Sequence, residues 1–263
     1  MSHIFAITNQ KGGVGKTTTS VNLSASMAAT KRNVLLIDLD PQGNATMGCG
    51  VDKHDLDKSA CDLLLGEASI NEVIQPLERW GFDLLPGNAD LTVAEIKLAT
   101  VTGREFKLRD ALQEVIDQYE YVFIDCPPSL NMLTVNAMVA ASGVLIPMQC
   151  EYYALEGLTA LLQTVEDIRK SVNPDLKVEG LLRTMFDPRN NLSNDVSQQL
   201  LEHFGERLLN TIIPRNIRLA EAPSHGAPIM HYDRNSRGAL AYFTLAGELL
   251  GRNASSRAAV VGA

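Results

Sequence analysis

At 263 residues with a net charge of −8, the chain is long enough for one sizeable core and is not a generally basic, DNA-coating protein. No apolar stretch approaches the roughly 18 residues of a membrane-spanning helix, and the N-terminus runs straight into a strand, so neither a membrane segment nor a signal peptide is expected. Cys49, Cys61, Cys126 and Cys150 form no Cys-x-x-Cys pair, which points to reduced, buried thiols of a cytoplasmic protein rather than a metal or cluster site.

Strand-like and helix-like segments alternate along the whole chain. The strand His3–Thr8 leads through a glycine-rich loop into a helix at Thr17–Thr30, followed by the strand Asn33–Asp38 and a helix at Ser59–Leu65. The strand Phe82–Pro86 precedes helices at Ala89–Thr100 and Glu105–Gln118, and Tyr121–Asp125 precedes a helix at Leu130–Ala141. Strands Val144–Met148, Val178–Met185 and Leu208–Pro214 then alternate with helices at Leu155–Val172, Ser193–Phe204 and Ser236–Leu250. Most strands are nearly continuous Val/Ile/Leu runs, as strands of a parallel sheet covered on both faces must be. The pattern predicts a single doubly wound, mostly parallel α/β domain over residues 1–252, with helices on both faces. Residues 253–263 are small and weakly patterned and are expected to form a disordered tail.

The loop Asn9–Thr18 reads Asn-Gln-Lys-Gly-Gly-Val-Gly-Lys-Thr-Thr, a P-loop whose first glycine is missing and whose entrance carries a second lysine, Lys11. Gly12, Gly13 and Gly15, with Val14 between them, let backbone N–H groups approach a phosphate closely, and the helix start near Lys16 adds its positive dipole end. Lys16 can reach the β- and γ-phosphates, the Thr17 hydroxyl can ligate Mg²⁺, and Thr18 follows in the same turn. The strand before and the helix after supply the context that makes this a nucleoside triphosphate site. Asn33–Pro41 ends a buried strand in two carboxylates, and period-2 alternation puts Asp38 and Asp40 on one side near the phosphates. Tyr121–Pro128 repeats the design, with Asp125 placed like a Walker B acid to hold Mg²⁺ directly or through water. Beyond Lys177 there is no lysine but nine arginines against eight carboxylates, so this last third, near +1, is where an anionic polymer could dock.

Lys-Gly-Gly-Val-Gly-Lys-Thr-Thr-Thr (11–19), Asp-Leu-Asp-Pro-Gln-Gly-Asn-Ala-Thr (38–46) and Ile-Asp-Cys-Pro-Pro-Ser-Leu (124–130) together resemble the deviant-Walker ATPases of the ParA/MinD superfamily. The strings at 151–158, 185–192 and 213–226 extend the resemblance over essentially the whole chain, and it is strongest to the short chromosomal ParA (Soj) proteins. The resemblance implies an ATP- and Mg²⁺-dependent ATPase that forms a homodimer around two ATP molecules. In it Lys11 would reach the partner's phosphates, Lys16 would bind its own, Asp40 would orient the attacking water, and Asp38 would assist through the Mg²⁺ shell with Thr17 and Asp125. Pro214, Arg215 and Asn216 would contact the adenine end. The dimer would bind double-stranded DNA without sequence preference, through Arg189 and Arg218 with Arg183 and Arg215, making it nucleoid-associated in the ATP state. A ParB-type centromere-binding protein would stimulate hydrolysis. With ten residues before Lys11, a helix-turn-helix region like that of longer plasmid relatives is not expected. A ParA-like positioner of another cargo would share every one of these sites. A MinD-type membrane cycler would need a basic amphipathic C-terminal helix, which residues 253–263 do not offer, and a reductase or metal-carrier relative would need paired cysteines.

Overall fold

The computed structural model describes residues 2–152 and 154–261, with the side chains of 154–156 and 255–261 left aside. Tyr153 of the 151–158 string, and Gly262 and Ala263 of the expected tail, lie outside the described residues. The apolar runs become strands β1 (His3–Ile7), β2 (Val34–Asp38), β3 (Gln75–Leu77), β4 (Phe82–Leu85), β5 (Tyr121–Asp125), β6 (Gly143–Gln149), β7 (Lys177–Phe186) and β8 (Leu208–Pro214). The helices are α1 (Lys16–Ala28), α2 (Asn44–Gly48), α3 (Ala60–Leu65), α4 (Ile70–Val73), α5 (Leu91–Leu98) and α6 (Lys107–Leu112) in the first half. They continue as α7 (Met132–Ala140), α8 (Ala154–Ser171), α9 (Asn191–Phe204), α10 (Ile217–Glu221), α11 (Ile229–Tyr232) and α12 (Arg237–Val261).

All eight strands join one sheet in the order β3-β4-β2-β5-β1-β6-β7-β8, parallel except for the β3–β4 pair. Side-chain alternation divides the core into two layers. Leu35 and Ile37 of β2 and Val122 and Ile124 of β5 pack on the α3, α5, α6 and α7 side. Val34 and Leu36, with Tyr121 and Phe123, pack against α1 and the body of α12 on the other. Because both faces are covered, the central strands are apolar at every position, which is why they read as unbroken runs.

Three features depart from the pattern-based expectation. β3 is a three-residue antiparallel edge strand containing Pro76, too short to show a period and tolerable only because an edge position leaves the missing N–H unpaired. The expected helix Glu105–Gln118 is broken, with α6 flanked by single 3₁₀ turns at Arg104–Phe106 and Ile116–Gln118, and Val115 leaves helical geometry at φ −127°. α12 does not stop near residue 250 but runs to Val261, so the expected boundary at 252 falls inside a helix. Asn253 is buried there and donates to the Tyr121 hydroxyl at 3.3 Å, which ties the start of the expected tail to the core. No helix among the described residues is long and apolar enough to cross a membrane.

Candidate nucleotide site and basic surface

Ile7, Asp125 and Asp38 lie in register on adjacent strands β1, β5 and β2. The glycine-rich loop therefore starts at the carboxyl edge of the sheet, directly beside both carboxylates. Gly13 (φ +73°) and Gly15 (φ +89°) take left-handed conformations open to glycine, and Gly15 caps α1 without a side chain. The first N–H groups of α1 thus stay available for an anion. The loop is fastened from two sides. The Thr184 hydroxyl donates to Val14 O (2.7 Å), and the Gln149 amide donates to Gly13 O (3.1 Å). Asn9 donates to Pro147 O (2.8 Å) and accepts the Lys11 N–H (3.0 Å), while Lys16 Nζ donates to Lys11 O (3.1 Å).

The two lysines of the loop are placed differently. Lys16 is 6% exposed, and burial lowers its pKa while Asp125 and then Asp40 pull it back up. Lys11 stands at the rim with its side chain 46% exposed and paired with Glu151.

The three carboxylates also differ. Asp125 is fully buried; its Oδ1 accepts from the Ser20 hydroxyl (2.9 Å), and its Oδ2 has no well-formed hydrogen bond among the described residues. Burial and then the Asp38 charge raise its pKa well above the usual carboxylate range, with the Thr17 hydroxyl acting the other way. A buried carboxylate oxygen without a full partner, beside the Thr17 hydroxyl and a phosphate loop, fits Mg²⁺. That ion takes one or two protein oxygens and completes its shell with water and phosphate. Asp38 is also buried, but both its oxygens are engaged: Oδ1 accepts the Asp40 N–H (3.1 Å), and Oδ2 accepts the Thr46 N–H and hydroxyl (2.8 Å each). Asp38, expected to assist through the Mg²⁺ shell, also anchors the turn that carries Asp40. Asp40 Oδ1 accepts the Gln42 N–H (2.9 Å) and its carbonyl accepts the Gly43 N–H (2.8 Å).

Thr46 Oγ1 also accepts the Gly87 N–H (2.9 Å), and at Gly87 a Cβ would strike the Asp38 carbonyl oxygen. Thr46→Val removes this junction and leaves buried polar groups short of partners, so it is expected to cost about 2–4 kcal/mol of stability. Denaturant unfolding measures the loss; a cost within error of zero would mean that the turn is held by other contacts.

Pro214, Arg215 and Asn216 line a cavity of about 420 Å³ together with Gly15, Thr18 and Tyr242. This brings the expected base-contacting segment to the phosphate loop. Met185, with φ +48°, lines the same cavity, an uncommon left-handed conformation for a non-glycine residue at the end of β7.

A second cleft of about 740 Å³ adjoins it and is lined by Arg189, Arg215 and Arg237, with Arg215 shared between the two. Arg189 is 88% exposed and paired with Asp187 at 2.8 Å. Arg218 is paired with Glu221 (2.8 Å) and Asp233 (3.6 Å). Arg183 does not join this surface. Its guanidinium donates to Ser197 Oγ (2.9 Å) and Leu209 O (2.9 Å), and burial lowers its pKa, so it braces β7 against α9 and β8. All four cysteines are buried and free, and burial raises each thiol, which keeps them protonated.

The family model for the AAA domain matches residues 2–178. The chain is 50% identical over 249 residues to the sporulation initiation inhibitor protein Soj of Bacillus subtilis, covering 95% of this chain and 98% of that protein. It is 47% identical to the chromosome partitioning protein ParA of Myxococcus xanthus, over 96% of this chain and 89% of that one. The chain belongs to the ParA/Soj family of partition ATPases.

As a ParA/Soj-family member it is an ATPase, with ATP and Mg²⁺ as its cofactors. A solved structure of cobyrinic acid a,c-diamide synthase from Mycobacterium smegmatis, with ADP and magnesium bound, has the same fold. Its TM-score is 0.86 at 38% identity, with 97% of each chain covered. Within the ParA/Soj frame, the residues that pattern reading did not single out are Gln149, Thr184, Ser20 and Thr46. Thr46 closes the quoted 38–46 string and Ser20 follows the loop one turn later, so both carried a signal. Gln149 and Thr184 reach the loop only through the packing of β6 beside β1 and of β7 beside β6.

Proposed function

We propose that this ParA/Soj-type ATPase is a nucleotide-switched DNA-binding dimer that partitions a chromosome or plasmid. The observation that carries the reading is the contrast between the two loop lysines: Lys16 is buried in its own site, and Lys11 is exposed at the rim, where a second subunit's phosphates could meet it. Two subunits would then enclose two ATP molecules, and dimerisation would depend on the triphosphate because each γ-phosphate supplies part of the interface.

Within each site the backbone N–H groups of Gly12–Gly15 and the start of α1 hold the phosphates, and Lys16 offsets their charge. Asp125 and Thr17 would hold Mg²⁺, which when bound would supply positive charge to offset that of the phosphates. Asp40, held by Asp38 and the Gln42 N–H, orients the attacking water. Phosphoryl transfer asks the protein mainly for positioning and electrostatics, which these groups supply.

The dimer doubles an arginine surface that one net-acidic subunit carries alone, which accounts for DNA binding limited to the ATP state. Arg189, Arg215 and Arg218 are its contacts, with Arg237 on the same cleft as the first two. Binding to DNA places the protein on the nucleoid within the cytoplasm. A ParB-type centromere-binding protein stimulates hydrolysis and releases the dimer, and repeated cycles move or anchor the cargo.

The test is binding to unrelated double-stranded DNA with ADP, with ATP, and with ATP plus an Arg189→Glu, Arg218→Glu variant, across a salt series. Binding is expected only with ATP and is expected to be lost in the variant. In the wild type, log affinity should fall linearly with log salt, with a slope of about −0.9 per phosphate contacted. An ATP-bound dimer that ignores DNA at low salt would end the partition reading.

A further inference from the structure

Gly50 and Gly226 meet backbone to backbone beside the hydrolytic turn. Gly50 (φ +83°) closes α2, its N–H on Met47 O (2.9 Å) and the Val51 N–H on Thr46 O (3.2 Å), a Schellman-type stop. Gly226 (φ +55°) closes the single 3₁₀ turn Ala222–His225 in the same way, through Pro223 O (3.0 Å) and an Ala227 N–H on Ala222 O (3.3 Å). A Cβ at Gly226 would stand 2.6 Å from Gly50 Cα, and one at Gly50 would stand 2.9 Å from Gly226 O. We propose that this contact is a buttress: Gly226 is a positioning residue that holds α2, and through it the turn carrying Asp40, in the geometry that hydrolysis needs. The inference rests on the reading of Asp40 as the residue that orients the attacking water.

α2 is five residues long and is gripped along its whole length. Before it, the Gly43 N–H donates to Asp40 O (2.8 Å), and a Cβ at Gly43 would stand 2.8 Å from Gly87 O. Within it, the Thr46 hydroxyl bridges Asp38 and the Gly87 N–H. After it, Gly50 rests on Gly226. A helix this short, with no slack between these contacts, moves as one piece, so a shift at Gly50 reaches Asp40.

The segment that carries Gly226 is fixed from its own side. The Ile229 N–H donates to Asn22 Oδ1 of α1 (2.6 Å), and Ala222, Ala227 and Ile229 are buried. Glu221 accepts from Arg218 (2.8 Å) and from the Tyr232 hydroxyl (3.2 Å), and the His225 ring stacks on Tyr232. A methyl inserted between this segment and α2 therefore displaces α2. Restoring an ordinary 3.4 Å contact takes a shift of about 0.8 Å, and misplacement by about 1 Å can cost about 10²-fold in rate. The phosphate loop takes no part in the contact, so turnover and nucleotide affinity separate. The buttress also carries Arg218, which puts one arginine of the proposed DNA surface on the unit that holds the hydrolytic turn.

The experiment follows single-turnover ATP hydrolysis by the full chain in excess with Mg²⁺, beside equilibrium binding of Mg-ADP. Gly226→Ala and Gly50→Ala place a methyl on either side of the contact. Gly66→Ala is the control: Gly66 (φ +74°) is also left-handed, but a Cβ there meets nothing within 4 Å. Each variant is assayed well below its own melting midpoint. Gly226→Ala and Gly50→Ala are expected to hydrolyse about 10- to 100-fold more slowly, with Mg-ADP affinity within about two-fold of wild type, while Gly66→Ala matches wild type in both. Added to Asp40→Ala, Gly226→Ala is expected to slow hydrolysis by less than about two-fold more, because its effect passes through Asp40. Gly226→Ala hydrolysing at the wild-type rate, losing rate and Mg-ADP affinity by one factor, or multiplying the Asp40→Ala defect in full would overturn the buttress. If Gly226→Ala does not fold, Gly50→Ala, with its milder overlap, decides by the same criteria. A slow Asp40→Ala beside a wild-type rate in Gly226→Ala removes the buttress alone. Asp40→Ala hydrolysing like wild type removes the water-orienting reading and the buttress with it.

Discussion

Asp40→Ala is expected to lower ATP turnover by about 10²–10⁴-fold, the usual worth of a positioned acid–base group, while leaving ATP binding within a few-fold of wild type. The asymmetry follows from where Asp40 sits. It is 6% exposed, on the turn after β2, and its side chain accepts the Gln42 N–H, so it is pre-positioned without being part of the phosphate loop. In the proposed site phosphate affinity would reside in the N–H groups of residues 12–15, in Lys16 and in the start of α1, and the contacts that fasten the loop do not involve Asp40. Under the proposed function the variant should therefore accumulate as an ATP-loaded dimer that stays on DNA, whereas wild type should dissociate as it hydrolyses. Single-turnover kinetics beside equilibrium binding of a fluorescent ATP analogue separates the two effects. A variant that loses binding and turnover in equal measure would show that Asp40 holds the nucleotide, and the water-positioning role would then have to pass to another group.

Lys11→Ala should leave each subunit able to bind ATP but weaken the dimer by about 10²–10⁴-fold. A charge-assisted hydrogen bond is worth about 1.5–3 kcal/mol, and the interface would lose one from each side. DNA binding should fall with it, since an unpaired subunit presents half the arginine surface. The structural reason to expect separable effects is that Lys11 shares only its backbone with the nucleotide site, through the contact of its carbonyl with Lys16 Nζ, while its side chain points to the rim. Light scattering of the variant with ATP, alongside a nucleotide-binding titration, reads both quantities. Loss of ATP affinity in the isolated subunit would instead assign Lys11 to its own phosphates and remove the argument for a shared interface.

Much of the fold and of the candidate site is legible in the sequence. The P-loop carries its own structural context, since three glycines, a Lys-Thr pair, a strand before and a helix after leave one sensible backbone path. Fully covered parallel strands produce unbroken apolar runs, so seven of the eight strands were recoverable by pattern, and the carboxylates ending β2 and β5 could be placed at the ligand edge of the sheet. The eighth, β3, was not legible because a three-residue edge strand with a proline has neither length nor period. The extension of α12 to Val261 was equally hidden: its alanine- and serine-rich end has little amphipathic signal, and Asn253, where the expected tail begins, is tied to Tyr121, 132 positions away.

Residue identity and spacing alone determined the reaction class, because phosphate binding depends on local backbone freedom and on a few side chains close in sequence. Tertiary structure alone decided which charged groups are available. Asp38 and Asp125 end similar strands at the same register, yet Thr46 and the Asp40 N–H between them engage both oxygens of one, while Ser20 of α1 leaves Oδ2 of the other without a full partner. Arg183 and Arg189 lie six positions apart, yet one is committed to Ser197 and Leu209 inside the fold and the other extends from it. Lys11 meets Glu151 across 140 positions. A charged side chain's chemistry is set by what desolvates and pairs it, and those partners come from strands and helices that are neighbours only after folding.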